Sequence, residues 1–376
     1  MSGLLPDVDP DGLLEYSVVY TDRAVNHMSQ SFQEVMCGIS ETLKQVYTTD
    51  AVVVVPGSGT FGMEAVARQL GTGKKCLVIR NGWFSYRWTQ IFEMGGIPSD
   101  ASVMKARPIE NGDTPAFAPA PLEEVVLKIK QKRPDVVFAP HVETSSGIIL
   151  PDDYIRGLAD AVHAVGGLLV LDCIASGTMW VDMVSSGVDV LISAPQKGWS
   201  GSPCCALVMM NESARKEATN TTSTSFACDL RKWLEIMEAY EKGGHAYHAT
   251  MPTDALTVFR NVMAETQNYG FQKAKTQQQE LGSRVRAVLA EKGFKSVAAT
   301  DFGAPGVVVS YTDDPGMKSG SKFAERGIQI AAGVPLQCDE LEGFNTFRIG
   351  LFGLDKLQNI DRTVATLENV LSEINV

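Results

Sequence analysis

The chain reads as an α/β protein with a mostly parallel central sheet and a smaller α+β domain at its carboxyl end. Short apolar runs, Val52–Val55, Cys76–Ile79, Val136–Ala139, Leu168–Leu171 and Val188–Ile192, alternate with helix-length segments. That alternation is the pattern of strand–helix–strand units joined by right-handed crossovers. The runs are continuously apolar, as strands buried on both faces are. At 376 residues the chain can bury a large core and is expected to split in two. We expect an N-terminal arm over 1–20, a large domain over 21–265 and a small domain over 266–376.

Composition narrows the class. The net charge is −11, which argues against a nucleic-acid groove or an anionic membrane surface. No run of eighteen apolar residues exists, so no membrane span is expected. Met1–Asp7 has neither a basic region nor a long apolar one, so no secretory signal is expected. The seven cysteines lack framework spacing, which suits reduced thiols in a cytoplasmic protein. Cys204 and Cys205 sit in an apolar run and read as small core residues. No Cys/His cluster has zinc spacing, so no metal is expected.

The elements follow in order. The short apolar patch Tyr16–Tyr20 belongs to the arm, which would lie across a partner subunit. Ser29 is positioned to cap a helix over Gln30–Val46. Val52–Val55 is a β-branched strand that runs into Gly57-Ser58-Gly59-Thr60-Phe61-Gly62, and a helix follows from about Met63 to Leu70. This turn is a literal G-x-G-x-x-G. A dinucleotide site also needs an acid some twenty residues on, and the next strand ends in Arg80-Asn81 instead. The glycines still expose backbone N–H groups at a helix start, which favours a phosphate. After Cys76–Ile79 come Trp83, Phe84 and Trp88, and an aromatic in a helix at a strand end can lie flat on a planar cofactor. The pattern alone does not choose among the three.

Val136–Ala139 enters His141-Val142-Glu143-Thr144-Ser145-Ser146-Gly147, where Glu143 reads as an acid that binds loop amides. Pro151–Val165 is the crossover helix to the central stretch. There Leu168–Leu171 ends in Asp172, and Val188–Ile192 leads to Gln196-Lys197. An acid and an amine thus leave neighbouring strand ends, the edge at which open α/β sheets hold ligands. Pyridoxal 5′-phosphate (PLP) chemistry needs such a pair, a lysine for the Schiff base and an acid for the ring nitrogen. An edge aspartate with a solvated lysine fits the same spacing.

Beyond Lys197, Cys204–Met210 reads as a return strand and Asn211 as the cap of a short helix. A long helical pattern spans Asp254–Lys292, with a bend near Gly270 and a stop at Gly293. Val307–Tyr311 reads as a strand, Ser319–Arg326 as a helix and Gly327–Ala331 as the next strand. In Phe347–Phe352 an arginine, Arg348, interrupts an apolar strand, where an unpaired guanidinium is costly. A substrate carboxylate held by two hydrogen bonds would satisfy it, as would a structural ion pair. Thr363–Ile374 is a closing amphipathic helix.

The sequence resembles the class V, fold-type I, PLP-dependent aminotransferases of the alanine–glyoxylate/serine–pyruvate type. Leu169-Val170-Leu171-Asp172-Cys173-Ile174-Ala175-Ser176 and Ser193-Ala194-Pro195-Gln196-Lys197 carry the likeness, and further matches run along roughly the whole chain. The resemblance implies the PLP-transferase fold type I and a homodimer with shared active sites. It implies that Lys197 carries the cofactor and Asp172 pairs with its ring nitrogen. Phe84 and Ile174 would pack on the two ring faces, and Thr144 would touch the phenolic oxygen. Ser58, Gly59, Thr60 and Gln196 would hold the phosphate, together with Tyr247 and Thr250 of the neighbouring subunit's Gly243–Pro252 loop. Arg348 would fix the substrate carboxylate. The implied reaction moves an amino group from a small amino acid, alanine- or serine-like, to a 2-oxo acid such as pyruvate or glyoxylate.

The sequence also departs from that family. Tyr20-Thr21-Asp22-Arg23 and a short link to His27 stand where relatives carry a Pro-Gly-Pro-type loop. Thr60 stands where some relatives have histidine. A second substrate carboxylate would need a second arginine, with Arg23 and Arg87 as candidates. The rival enzyme is a cysteine desulfurase-like lyase, because Cys338 lies ten residues before Arg348. Phe84 and Gln196 stand where those enzymes favour histidine. A catalytically silent binding protein on the same fold is the other rival, and the intact Asp172, Lys197 and Arg348 set speaks against it.

Overall fold

The computed structural model describes residues 16–17 and 23–374. The expected arm, apart from Tyr16 and Ser17, and residues Tyr20–Asp22 of the unusual loop lie outside the described residues.

Seven strands form the large sheet: β1 (Ala51–Pro56), β2 (Lys75–Arg80), β3 (Asp100–Lys105), β4 (Val136–Pro140), β5 (Leu168–Asp172), β6 (Val190–Ser193) and β7 (Cys205–Met210). Their spatial order is β1-β7-β6-β5-β4-β2-β3. All neighbouring pairs are parallel except those made by β7, which runs antiparallel to both β1 and β6. The return strand read from Cys204–Met210 is therefore the one reversal in the sheet. The valines of β1 and the whole of β4 and β7 are buried, as continuous apolar runs demand.

Helices cover both faces. α1 (Gln30–Tyr47) begins at Ser29, whose side chain accepts the Phe32 N–H at 3.1 Å. α2 (Gly59–Leu70) starts four residues before the expected Met63, because the glycine turn is itself the first helical turn. A Cβ on Gly62 would stand 2.5 Å from the Ala206 Cβ, so glycine lets α2 lie directly on β7. α3 (Trp83–Gly95) follows β2, and α4 (Asp152–His163) is the crossover into β5. The stretch between β5 and β6 holds only a four-residue helix, Met183–Ser186.

α5 (Thr253–Tyr269) and α6 (Phe271–Glu291) replace one long helix. They meet at Gly270, whose φ of +99° breaks the helical path. α6 packs into a second apolar cluster with the closing helix α7 (Ile360–Ile374). That cluster sits beside a three-stranded sheet of β8 (Val307–Tyr311), β9 (Ala331–Ala332) and β10 (Thr346–Gly350), with β10 in the middle. Two expectations fail here. The helix read over Ser319–Arg326 is two short ones, Pro315–Ser319 and Ser321–Ala324, split by Gly320 in a left-handed conformation. The strand read over Gly327–Ala331 shrinks to the two residues of β9, which pair only with β10.

The sheet register positions the site. Asp172, the last residue of β5, pairs across to Pro140 on β4 and Ile192 on β6. The segments after those three residues therefore leave the sheet at one edge. They carry Thr144, Ile174 and Lys197.

Candidate active site

A cavity of about 240 Å³ opens at that edge. Its walls hold Ser58, Gly59 and Thr60 from the start of α2, Phe84 from α3, and Thr144 from the loop after β4. Asp172, Ile174, Gln196 and Lys197 complete it from the ends of β5 and β6. Of the residues expected in the site, Tyr247, Thr250 and Arg348 do not line this cavity.

Asp172 is buried, and burial pushes its carboxyl up from the ordinary value to about 7. The carboxylate accepts the Ile174 N–H at 2.9 Å. Lys197 makes no ion pair among the described residues, and its ammonium lies 5.0 Å from the centre of the Phe352 ring. Burial first, and the Arg348 charge second, pull its pKa below the usual lysine value. Gln196 and Lys197 also border an open cleft of about 850 Å³ beside α5 and Phe352.

The turn before α2 has the features of an anion seat. The Ser58 side chain makes no capping bond, so the first N–H groups of a twelve-residue helix are left to other partners. Gly59 packs against Ile174, where a Cβ would come within 2.7 Å of the Ile174 Cδ1. The buried Gln196 Oε1 has no hydrogen-bond partner among the described residues. A buried carboxylate, a half-buried amine, an uncapped helix start and an amide oxygen without a partner among the described residues, around one cavity, fit PLP.

Phe84 and Thr144 are held in the cavity wall by Glu143, which is wholly buried. One carboxylate oxygen accepts the N–H groups of Phe84 and Ser145 and the Ser145 hydroxyl, at 3.2, 3.1 and 2.7 Å. The other accepts the N–H and hydroxyl of Ser85. The acid read as a binder of loop amides thus fastens α3 to the Thr144 loop. It also decides among the aromatics: Phe84 faces the cavity, whereas Trp88 is fully buried in the core.

Arg348 lies outside the cavity lining but over the Phe84 ring, 5.6 Å from its centre. Its guanidinium donates to the Ala332 and Thr144 carbonyls, at 2.8 and 3.4 Å. No carboxylate lies within ion-pair distance of it among the described residues. Tyr247 is 58% exposed and its hydroxyl bonds the Thr250 hydroxyl at 3.2 Å, away from the cavity of the same chain. His248 is a loop histidine bonded to the Phe226 carbonyl, and the His245 ring packs edge-on to His27.

The sequence reading left Arg87 without a place, and it lines the cavity. The available signal was spacing: Arg87 stands three residues after Phe84 and so shares its helix face. Met63, Val142 and Ala175 also line the cavity. Cys338 is 3% exposed and donates to the Arg80 carbonyl at 3.4 Å. Burial pushes its thiol up to about 12, the reverse of a reactive cysteine.

Residues 12–361 match the family model described as aminotransferase class-V. Alanine–glyoxylate aminotransferase from Rattus norvegicus is 26% identical, over 93% of this chain and 82% of that protein. The 2-aminoethylphosphonate–pyruvate transaminase of Paraburkholderia phymatum is 28% identical, over 94% and 90%. A crystal structure of alanine–glyoxylate aminotransferase from Nostoc sp. superposes with a TM-score of 0.79 at 21% identity, covering 94% of this chain and 89% of that one. That likeness bears on the fold, which is that of the fold-type I PLP transferases.

Proposed function

The chain belongs to the class-V aminotransferase family, and from that premise we propose that it transfers the amino group of a small amino acid to pyruvate or glyoxylate. It is a PLP-dependent transaminase. The observation that carries the reading is the meeting of Asp172 and Lys197 in one cavity with the Ser58–Thr60 turn.

In this proposal Lys197 is the covalent anchor of PLP and Asp172 the partner of its ring nitrogen. Phe84 and Ile174 sandwich the ring, and Thr144 meets its phenolic oxygen. Ser58, Gly59, Thr60 and Gln196 hold the phosphate. Bound there, PLP would supply an electron sink for the substrate Cα. The chain's own residues do the rest. Arg348, which has no carboxylate partner among the described residues, takes the substrate α-carboxylate through two parallel bonds. Lys197, whose pKa burial lowers, would take up the Cα proton at its Nζ once the incoming substrate amine has released it.

The small donor is supported by the names of the relatives. A desulfurase-like reaction is disfavoured by the buried, high-pKa thiol of Cys338. We further propose a homodimer in which Tyr247 and Thr250 reach the phosphate of the partner's site. Their exposed position, with Phe226 also 75% exposed nearby, supports this. Full activity in a sedimenting monomer would contradict it. A cytoplasmic location is supported by seven free thiols. No helix of the described residues is long and apolar enough to cross a membrane. The division into an arm (1–20), a large domain (21–265) and a small domain (266–376) is part of the same proposal.

Borohydride reduction of the PLP-loaded protein, followed by peptide mapping, is the test. The pyridoxyl group is expected on Lys197. A label on another lysine overturns the assignment, and absence of any label overturns the cofactor reading.

A further inference from the structure

We propose that Arg87 binds the phosphate of PLP and supplies the full positive charge at the Ser58–Thr60 turn; this rests on the PLP reading of the cavity. The Arg87 Nη1 donates to the Thr60 Oγ1 at 2.9 Å. Its guanidinium carbon lies 5.3 Å from the centre of the Phe84 ring, so the ring and the hydroxyl together fix its direction. Arg87 forms no ion pair among the described residues, although it is half-buried and borders the cavity.

The charge inventory makes the assignment. A phosphate ester near neutral pH carries between one and two negative charges. The other residues named for it are neutral: Ser58, Gly59, Thr60, Gln196, and Tyr247 and Thr250 from the second subunit. A helix start contributes roughly half a charge. Of the two cations that line the cavity, Lys197 is needed as the covalent anchor and Arg87 is left. Asp172 is the one carboxylate in the lining, and it sits at the end of β5 rather than at the turn. Thr60 strengthens the case. Its oxygen accepts from Arg87, which leaves its own hydrogen to donate to an anion. Arginine is the suited cation, since its planar fork can serve the hydroxyl and a phosphate oxygen together.

The test compares two ligands on the apo-protein. Equilibrium binding of PLP and of pyridoxal, which lacks the phosphate, is measured by quenching of intrinsic fluorescence for the wild type and Arg87→Gln. The variant is expected to bind PLP at least roughly 30-fold more weakly, as loss of a buried charged contact implies. Pyridoxal binding should stay within about threefold, since it makes no such contact. Inorganic phosphate should raise the melting temperature of the wild-type apo-protein and not that of the variant. Equal weakening of both ligands would assign Arg87 to the ring or to Asp172 and overturn the proposal. Unchanged PLP binding with a raised KM for dicarboxylate donors would make Arg87 a substrate arginine and also overturn it. If Arg87→Gln does not fold, Arg87→Lys takes its place, keeping the charge but not the fork. It should lose PLP affinity selectively, and equal loss for both ligands would again overturn the assignment. Failure of the wild type to bind PLP at all would strike the PLP reading itself.

Discussion

Glu143 accepts both the backbone N–H and the hydroxyl of Ser85 through one carboxylate oxygen, at 2.8 and 2.7 Å, although the two residues lie 58 positions apart. This contact ties the first turn of α3 to the loop after β4, and so ties Phe84 to Thr144 across the cavity. The neighbouring Gly82 has no space for a side chain, because a Cβ would lie 2.0 Å from the Ser145 hydroxyl.

Glu143→Gln should therefore destabilise the protein by on the order of 3 kcal/mol, because an amide nitrogen would face N–H and O–H donors inside a dry site. Urea unfolding of both apo-proteins measures it. Equal midpoints would show that the donors find other partners and that the clamp carries no stability.

How much of this site was legible beforehand depended on whether a side chain's task is local. Asp172 and Lys197 follow apolar strands, and strand ends at a parallel sheet edge converge whatever the detailed packing. The capping roles of Ser29 and Asn211 are equally local, and both form as expected. The choice of Phe84 over Trp88 was open in the residues, since both lie on α3. Burial of Trp88 against Phe138, with ring centres 4.5 Å apart, decides it. Arg87 was unplaced for the same reason: its partner Thr60 is 27 residues away. The β9 strand was overread because Gly327–Ile330 has strand-like composition but no neighbouring strand along its length.

Asp172 should make apo-protein stability depend on pH with an unusual sign. Its carboxyl is raised to about 7 by burial, while the unfolded chain titrates near its ordinary value of 3.8. Between those values the native state holds a proton that the unfolded state has lost. Stability from this group is therefore fully present below the unfolded value and declines as pH rises toward 7, by up to roughly 1.4 kcal/mol per pH unit. It is flat above that. Asp172→Asn removes the effect. Urea unfolding of the two apo-proteins at pH 5, 6 and 7 should show the wild type losing ground to the variant as pH rises. A constant difference would mean that Asp172 ionises as an ordinary aspartate.

Arg348 is the last case, and its surroundings sharpen the expectation. It sits in the central strand of the small sheet, between Val309 and Ala331. Two carbonyl oxygens accept from it, no carboxylate among the described residues pairs with it, and burial draws its pKa down from the usual arginine value. A cation kept in that state is poised for an anion from outside the chain. Arg348→Lys should weaken donor kcat/KM, because an ammonium cannot reproduce the planar two-bond fork. The loss should correspond to about 2–5 kcal/mol of transition-state binding. PLP affinity should barely move, since other residues hold the cofactor. If Arg348 instead serves only to join β10 to Ala332 and the Thr144 loop, the same substitution lowers the melting temperature and leaves the kinetics per folded molecule intact. Measuring donor kcat/KM and thermal stability on one preparation separates the two, and an unchanged kcat/KM with a lowered melting point would remove Arg348 from the substrate site.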